Sequence, residues 1–482
     1  MARPLRRGGA MGVTYEPGPM EIALDRNHAM PLVEQISESL KSAILEGRLE
    51  PGARLPSWLD MATQLGVARG TVKAAYEKLA DEFLVVSAGA GGTRVASDVR
   101  VVPPAPVAEI RRPLRNFVRG FYLPPLPFQM GVPAQDAFPY KLWARFRTRA
   151  VRDDAMAPVG QQDPRGNPEL RAQIASYLAI ARGIRCVPDQ VLLTAGFRNG
   201  LALALRVLGM RGQSVWMEEP GYPITRMGLE LDGMNVVPVP VDEEGVMVER
   251  GIELAPDAVL AVVTASQQAP TGVPLSAERR VQLLQWAERS GSWIIEDDYL
   301  SELQLCGRAA PALAAADLGR RVIHIGSFGK TMSPTVGLGF LVAPIELAER
   351  FGDVAAYLQP SPNQTTQLAL AGFIGDGHYL RHLRYMKRLY SERREALDAC
   401  LGDDVDVWHR AGLSLVVRLR DGANDREIAR LAVEKGLALV PLSAWWHDPA
   451  QAKPGFVLGV TNLKPSVIGK ACQTLKDLIA KA

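Results

Sequence analysis

Lys330 closes the run Ile325-Gly326-Ser327-Phe328-Gly329-Lys330-Thr331, directly after the β-type stretch Val322–Ile325. A lysine in a small, Gly-rich turn can be held beside a carbonyl compound, where its amine forms a Schiff base. Upstream, Trp293-Ile294-Ile295-Glu296-Asp297-Asp298-Tyr299 reads as an apolar strand ending in carboxylates and a phenol. A nucleophilic amine and an acid–phenol cluster do chemistry together only if the fold brings two strand ends side by side. The elements around them must therefore be those of a sheet.

Beyond residue 126 the chain alternates helical and β-type runs, the pattern of a parallel α/β sheet. The expected strands are Gln190–Thr194, Ser214–Glu218, Asn235–Val241, Val259–Thr264, Trp293–Glu296 and Val322–Ile325. From about 360 onward the sequence is first helical and then carries Leu413–Leu419 and Phe456–Val460, which predicts a smaller α+β closing subdomain. The first hundred residues differ. Leu32, Ile36, Leu40 and Ile44 have helical spacing between Pro31 and Gly47. A second helix fits Ser57–Leu65, capped by Ser57 and stopped by Gly66. A third fits Arg69–Glu82, with Val72, Ala75, Tyr76 and Leu79 on one face. Residues 83–95 then read as a short β-hairpin around a Gly/Ala-rich tip. Three helices and a hairpin make a winged helix-turn-helix. The expected organisation is this module over 20–97, a Pro-rich extended spacer over 98–125, and an α/β domain over 126–482. The large part of that domain spans about 150–350 and the small part about 360–482.

At 482 residues the chain exceeds one hydrophobic core. Its composition, 47% hydrophobic and 22% charged, is that of an ordinary globular protein. Cys186, Cys306, Cys400 and Cys472 are scattered without a CxxC pair, so they read as reduced thiols of a cytoplasmic protein with no zinc or other metal site. No segment approaches membrane-spanning length. The net charge of +3 becomes informative once it is placed. Residues 1–97 carry 11 Lys and Arg against 11 Asp and Glu, residues 98–125 carry 5 against 2, and the remainder is balanced at 39 of each. The basic surplus expected of a nucleic-acid-binding head lies wholly in the spacer.

Pro31-Leu32-Val33-Glu34-Gln35-Ile36, Ala43 through Ser57, and Leu65-Gly66-Val67-Ala68-Arg69-Gly70-Thr71-Val72-Lys73-Ala74-Ala75-Tyr76 resemble a GntR-type winged helix. The resemblance implies that the third helix enters the major groove of double-stranded operator DNA with Arg69, Thr71 and Lys73 at reading positions. It also assigns DNA contacts to Ser57 and to Gly92, Thr93 and Arg94 at the wing. The chain departs from the family at Leu59, where an arginine is usual, and at Ala68, where a serine cap is usual. Gly70 lies inside the first turn, and Ala88 and Ala90 stand at the wing where Arg and Gly are usual. These departures leave open a head retained only as a folded interaction module, unless Arg94 and the basic spacer replace the lost contacts.

Asp163 through Arg171, Tyr177–Val191 and Thr264 through Ser276 resemble fold type I, class I aminotransferases, which use pyridoxal 5′-phosphate. With the winged helix in front, the chain from about residue 30 to its end resembles the MocR (PdxR-like) subfamily of GntR transcriptional regulators. That resemblance implies the Schiff-base lysine at Lys330 and the carboxylate facing the pyridine nitrogen at Asp297. It implies a phenol near the 3′-oxygen at Tyr299 and the aromatic stacked on the ring at Tyr222, with Asp298 a structural or solvated acid. Gly196, Phe197 and Arg198, opening the helix 197–208, and Ser327 match the phosphate loop.

Three departures bear on function. Gly337 stands where an arginine usually pairs with the phosphate, which leaves Arg198 as the candidate cation, since a cation in a helix's first turn is disfavoured without an anion. Gln267, Gln268 and Ala269 replace the usual His-Gln-aromatic. Val457 stands where relatives hold a substrate carboxylate with arginine, the clamp that efficient transamination needs. The expectation is therefore a regulator sensing pyridoxal phosphate, an amine or an amino acid, assembled as a head-to-tail homodimer. The alternatives are a cytosolic aminotransferase with a vestigial head and a scaffold that binds neither cofactor nor amine.

Overall fold

The computed structural model describes residues 22, 24–26, 30–87, 92–98, 124–157, 160, 162–305, 310–318, 320–358 and 363–480. The chain divides into two compact units, Met1–Arg112 and Pro113–Ala482. Ala88 and Ala90, nearly all of the basic spacer, and Cys306 lie outside the described residues.

In the first unit, helices Leu32–Leu45, Trp58–Leu65 and Arg69–Asp81 are followed by strands β1 (Val85–Ser87) and β2 (Thr93–Val95), paired antiparallel with Val85 opposite Val95. The apolar faces read from the sequence meet here: Ile36, Leu40, Ile44, Val72, Tyr76 and Leu79 are buried in one cluster with Leu55, Val85 and Val95. Ser57 caps the second helix by accepting from the Asp60 amide at 3.1 Å, and Gly66 ends it in the left-handed conformation. The third helix starts at Ala68 without a side-chain cap. The Tyr76 hydroxyl donates to the Pro56 carbonyl at 3.0 Å and ties the third helix to the turn before the second.

The second unit is built on an eight-stranded sheet. Its strands are β3 (Val191–Thr194), β4 (Ser214–Glu219), β5 (Asn235–Asp242), β6 (Gly245–Val246), β7 (Leu260–Val263), β8 (Trp293–Asp298), β9 (Val322–Ser327) and β10 (Gly339–Val342). Their order is β3-β10-β9-β8-β7-β4-β5-β6. The stretch β9-β8-β7-β4-β5 is parallel, as the alternating pattern predicts. β6 and β10 correct the all-parallel expectation: β10 runs antiparallel to both β3 and β9, and β6 antiparallel to β5. The reason is the link between β9 and β10. Residues 328–338 are too few for a crossover helix, so the chain turns back and lays β10 beside β9. That turn carries Lys330.

The smaller subdomain holds helices Gln364–Gly375 and His378–Leu401 and then a four-stranded antiparallel sheet. Its strands are β11 (Val407–Ala411), β12 (Ser414–Arg418), β13 (Val440–Pro441) and β14 (Gly455–Gly459), in the order β11-β12-β14-β13. The segment just after the spacer joins it. The Pro127 carbonyl accepts from the Ala438 amide and the Phe128 carbonyl from the Gly459 amide. The Val132 carbonyl accepts from the Thr461 hydroxyl at 2.6 Å and the Asn462 amide at 2.9 Å. Residues 127–132 thus form a strap on the edge of β14. Among the described residues no helix is long and apolar enough to cross a membrane, and no cluster of three or more His, Cys, Asp or Glu could hold a metal.

Candidate functional site

The parallel strands β4, β7 and β8 lie side by side, and the outer two of them end in acids: Glu218 and Glu219 on β4, and Asp297 and Asp298 on β8. Asp298 is structural. It is buried and paired with the buried Arg182 at 2.8 Å, and Arg182 also donates to the Ser266 hydroxyl at 2.7 Å. Glu296, two residues earlier, shares the face of Asp298, where it lies 2.9 Å from His324 Nδ1 and accepts from the Leu313 and Ala314 amides. Burial alone would raise the Glu296 pKa, but the His324 contact more than offsets it; His324 is raised in return, its own burial opposing.

Asp297 has no such partner. Its carboxylate is buried and makes no ion pair like that of Asp298 among the described residues. Burial raises its pKa well above the usual carboxylate range, with Asp298, Glu218 and Glu296 adding to the rise and Lys330 alone opposing it. Lys330 is the complement: burial lowers its amine pKa, Arg198 lowers it further, and Asp297 holds it up. Its Nζ lies 5.7 Å from the centre of the Tyr222 ring and 5.9 Å from that of Tyr299, so the amine sits between two aromatic faces. Burial pushes the Tyr222 phenol up to about 12, Asp297 adding and Arg198 opposing. The Tyr299 phenol is pushed up by burial and then by Asp297 and Glu218.

Gly131 on the strap completes the enclosure. A Cβ built there would stand 3.2 Å from Lys330 Nζ, and its φ of +74° suits glycine. Behind the lysine, the Tyr379 hydroxyl donates to Thr331 Oγ1 at 3.0 Å, and His382 Nε2 lies 3.0 Å from the Thr331 carbonyl. These contacts hold the turn from the small-subdomain side.

The phosphate-loop residues open the helix Phe197–Leu208 after β3, with Gly196 as its N-cap. Ser327 ends β9 beside them: its Oγ is 4.0 Å from where a Cβ on Gly196 would stand, and it accepts from the Gly329 amide at 3.2 Å. Arg198 is exposed at this helix start and acts electrostatically on both Lys330 and Tyr222. The structure thus gathers Lys330, Asp297, Tyr299, Tyr222 and Arg198 around one point, with Ser327 and Gly196 adjoining each other at the helix start. Gly337 is exposed at φ +63°, in open space.

Two other groups behave differently. Gln267 and Gln268 are buried and spent on backbone, donating to the Leu300 carbonyl and to the Pro220 and Ala269 carbonyls. Val457 is fully buried on β14, opposite Val416.

A buried carboxylate close to a lysine, two aromatic rings and a helix N-terminus fit the parts of pyridoxal phosphate: Asp297 suits its ring nitrogen, Lys330 its carbonyl, and the helix start its phosphate.

In the head, Ser57, Arg69, Lys73 and Arg94 are exposed and Thr71 half-buried. Arg69 and Lys73, four residues apart, share a helix face, and Lys73 pairs with Glu77 at 3.6 Å. Arg94 folds back to donate to the Gly52 carbonyl at 3.0 Å. Arg54 was not singled out from the sequence. A Cβ on Gly92 would stand 3.1 Å from its Nε, so this exposed cation lies at the wing beside Gly92 and Thr93. Its signal was its place in the GntR-like stretch running to Ser57.

Residues 153–447 match the family of aminotransferase class I and II, and residues 32–95 match the bacterial regulatory proteins of the gntR family. The two matches in this order also extend through single relatives. The probable rhizopine catabolism regulatory protein MocR of Rhizobium meliloti is 35% identical over 95% of this chain and 95% of its own length. The chain belongs to the MocR-type GntR regulators. The pyridoxine biosynthesis transcriptional regulator PdxR of Corynebacterium glutamicum is 32% identical over 91% of this chain and 94% of its own. Among solved structures, the kynurenine aminotransferase of Pyrococcus horikoshii aligns with a TM-score of 0.67 at 23% identity, over 73% of this chain and 90% of that one. An archaeal alanine:glyoxylate aminotransferase aligns with a TM-score of 0.69 at 22% identity, over 75% and 92%. As a MocR-type regulator the chain is a DNA-binding transcription factor whose second domain has the aminotransferase fold and takes pyridoxal 5′-phosphate.

Proposed function

We propose that this regulator senses an amine, or the level of pyridoxal phosphate itself, at Lys330 and reports it to the DNA-binding head. The observation that carries this reading is the enclosure of Lys330 Nζ by Tyr222, Tyr299, Asp297 and the strap residue Gly131. When bound, pyridoxal phosphate supplies a carbonyl carbon that attaches amines reversibly and a ring that withdraws electrons. The chain's own residues set the rest. Burial shifts Lys330 toward the neutral amine, the nucleophilic form. Asp297 would hold a proton at the ring nitrogen, and Tyr222 would lie against the ring. The amides of Phe197 and Arg198, the Ser327 hydroxyl and the Arg198 guanidinium would hold the phosphate. Because the strap bonded to β14 passes beside Lys330 and leads back into the spacer, occupancy there would bear on the segment that carries the head.

At the operator, Arg69, Thr71 and Lys73 read the major groove, while Ser57, Gly92, Thr93 and Arg94, joined by Arg54, contact the backbone or minor groove. The protein works in the cytoplasm as a head-to-tail homodimer, so two heads address paired half-sites. A footprint of the purified protein on its own upstream DNA, with and without pyridoxal phosphate, tests this. Protection that changes with the cofactor supports it, and no protection in either condition overturns it. Turnover as an aminotransferase is the second reading, favoured by the Lys330–Asp297 pairing and opposed by Val457. Steady conversion of amino donors and ketoacids by the protein without DNA would establish it.

A further inference from the structure

An apolar cluster lies behind the rings around Lys330, on the side of the small subdomain. Ala269, Val416, Leu442, Trp445, Trp446 and Val457 form one buried cluster, and Tyr222, Tyr299 and Met130 pack against it. Tyr222 and Tyr299 are the two rings around Lys330 Nζ, and Met130 precedes Gly131, so this cluster is the layer directly behind them. The Trp445 ring lies 5.7 Å from that of Tyr222, and the Trp445 carbonyl accepts from the Gly221 amide at 3.0 Å.

Asp297 on β8 and Glu218 on β4, with β7 between their strands, both act on Tyr299, and among the described residues Arg198 is the cation acting on Lys330 and Tyr222. Arg198 is at the helix start, where the cofactor phosphate belongs. Two cations near the apolar wall are engaged: Arg418 lies 3.9 Å over the ring of Trp408, which packs against the cluster, and Arg226 donates to the Ala444 carbonyl. A carboxylate entering beside Lys330 would lose its water against tryptophan and valine, and the described residues of that wall hold no cation to pair with it. An amine with an apolar body meets the opposite conditions.

We propose, building on the reading of Lys330 as the amine anchor, that the effector of this regulator is a primary amine with an apolar or aromatic body and no carboxylate, selected by Val457, Trp445 and Trp446. The wall takes the apolar body, and Val457 on it offers a carboxylate nothing to pair with.

The test uses the full-length protein loaded with pyridoxal phosphate, titrated with 2-phenylethylamine and with phenylalanine, which differ only by the carboxylate. Change in the visible absorbance of the bound cofactor and in tryptophan fluorescence is read at equilibrium. The amine is expected to half-saturate at a concentration lower by about tenfold or more. Equal or tighter binding of phenylalanine, or no response to either compound by cofactor-loaded protein, overturns the proposal while leaving the cofactor reading intact. A wild-type protein with no bound-cofactor absorbance beyond that of Lys330→Ala overturns both. In Val457→Arg, where it folds, the preference should narrow or invert; the wild-type comparison decides the question without it.

Discussion

The reading surface of the head and the chamber around Lys330 are both assemblies of a few polar residues, but they are built on opposite physical terms. Arg69, Lys73, Arg54 and Arg94 stand on the surface, hydrated, and residues 1–97, which carry them, have no excess of positive charge. Asp297, Tyr299, Tyr222 and the Lys330 amine are enclosed, and burial is the largest influence on each of their proton affinities. A surface of this kind works by summing small contacts to phosphates and base edges. A chamber works by withholding water, so each member depends on the others. Losses in the chamber should therefore be abrupt, and losses or gains in the head incremental.

The sharpest separation comes from Lys330→Ala. The visible absorbance of bound pyridoxal phosphate should vanish while the thermal unfolding of the apo-protein changes little, because one amine is removed and no core contact. Retained absorbance equal to wild type would break the contrast at its strongest point. Ion pairs give a second comparison. Arg182→Met strands Asp298 in the interior and should cost about 3–5 kcal/mol in urea unfolding, whereas Lys73→Met, whose partner Glu77 is as exposed as Lys73 itself, should leave the midpoint unchanged.

A third test uses pH. Burial raises the Glu218 carboxyl from 4.5 to about 7, so the folded chain keeps a proton that the unfolded chain releases above about pH 4.5. Stability should fall as pH rises across that window, by on the order of 3 kcal/mol, and level off above pH 7. Glu218→Gln can still accept from the Thr264 amide, and unfolding midpoints at pH 5 and 7.5 should differ less in it than in wild type. An unchanged pH dependence would mean that Glu218 is not the carrier. The smallest effect belongs to the head. Leu59 is 40% exposed at the start of the second helix, and Leu59→Arg should tighten operator binding a few-fold and steepen its log–log salt dependence by about 0.9, one added phosphate contact. No change in slope would place Leu59 away from the DNA.

Local order made much of this molecule readable in its sequence. The three head helices, the parallel strands and the turn holding Lys330 all follow from short-range spacing and from Gly, Pro and Ser at element ends. What stayed hidden depends on partners far along the chain. β10 (Gly339–Val342) is a plain apolar run, and nothing within it states that it pairs antiparallel with both β3 and β9. The strap at Phe128–Val132 reads as the tail of a Pro-rich spacer until Gly459, Thr461 and Asn462 bond to it. Gly131 carries no sign in sequence of its approach to Lys330. Asp298 and Val457 were singled out, yet their surroundings came only from packing: Arg182 from a distant helix end, and Trp445 and Trp446 from a short turn.

The central claim is that Lys330 governs what the head does. The measurement that tests it most directly is operator affinity of the full-length protein at fixed salt, with and without pyridoxal phosphate and 2-phenylethylamine, in wild type and in Lys330→Ala. Coupling between the two sites predicts an affinity that shifts several-fold on adding these ligands to wild type and stays constant in Lys330→Ala. The same response in both proteins, or none in a wild type that has bound both ligands, would contradict it.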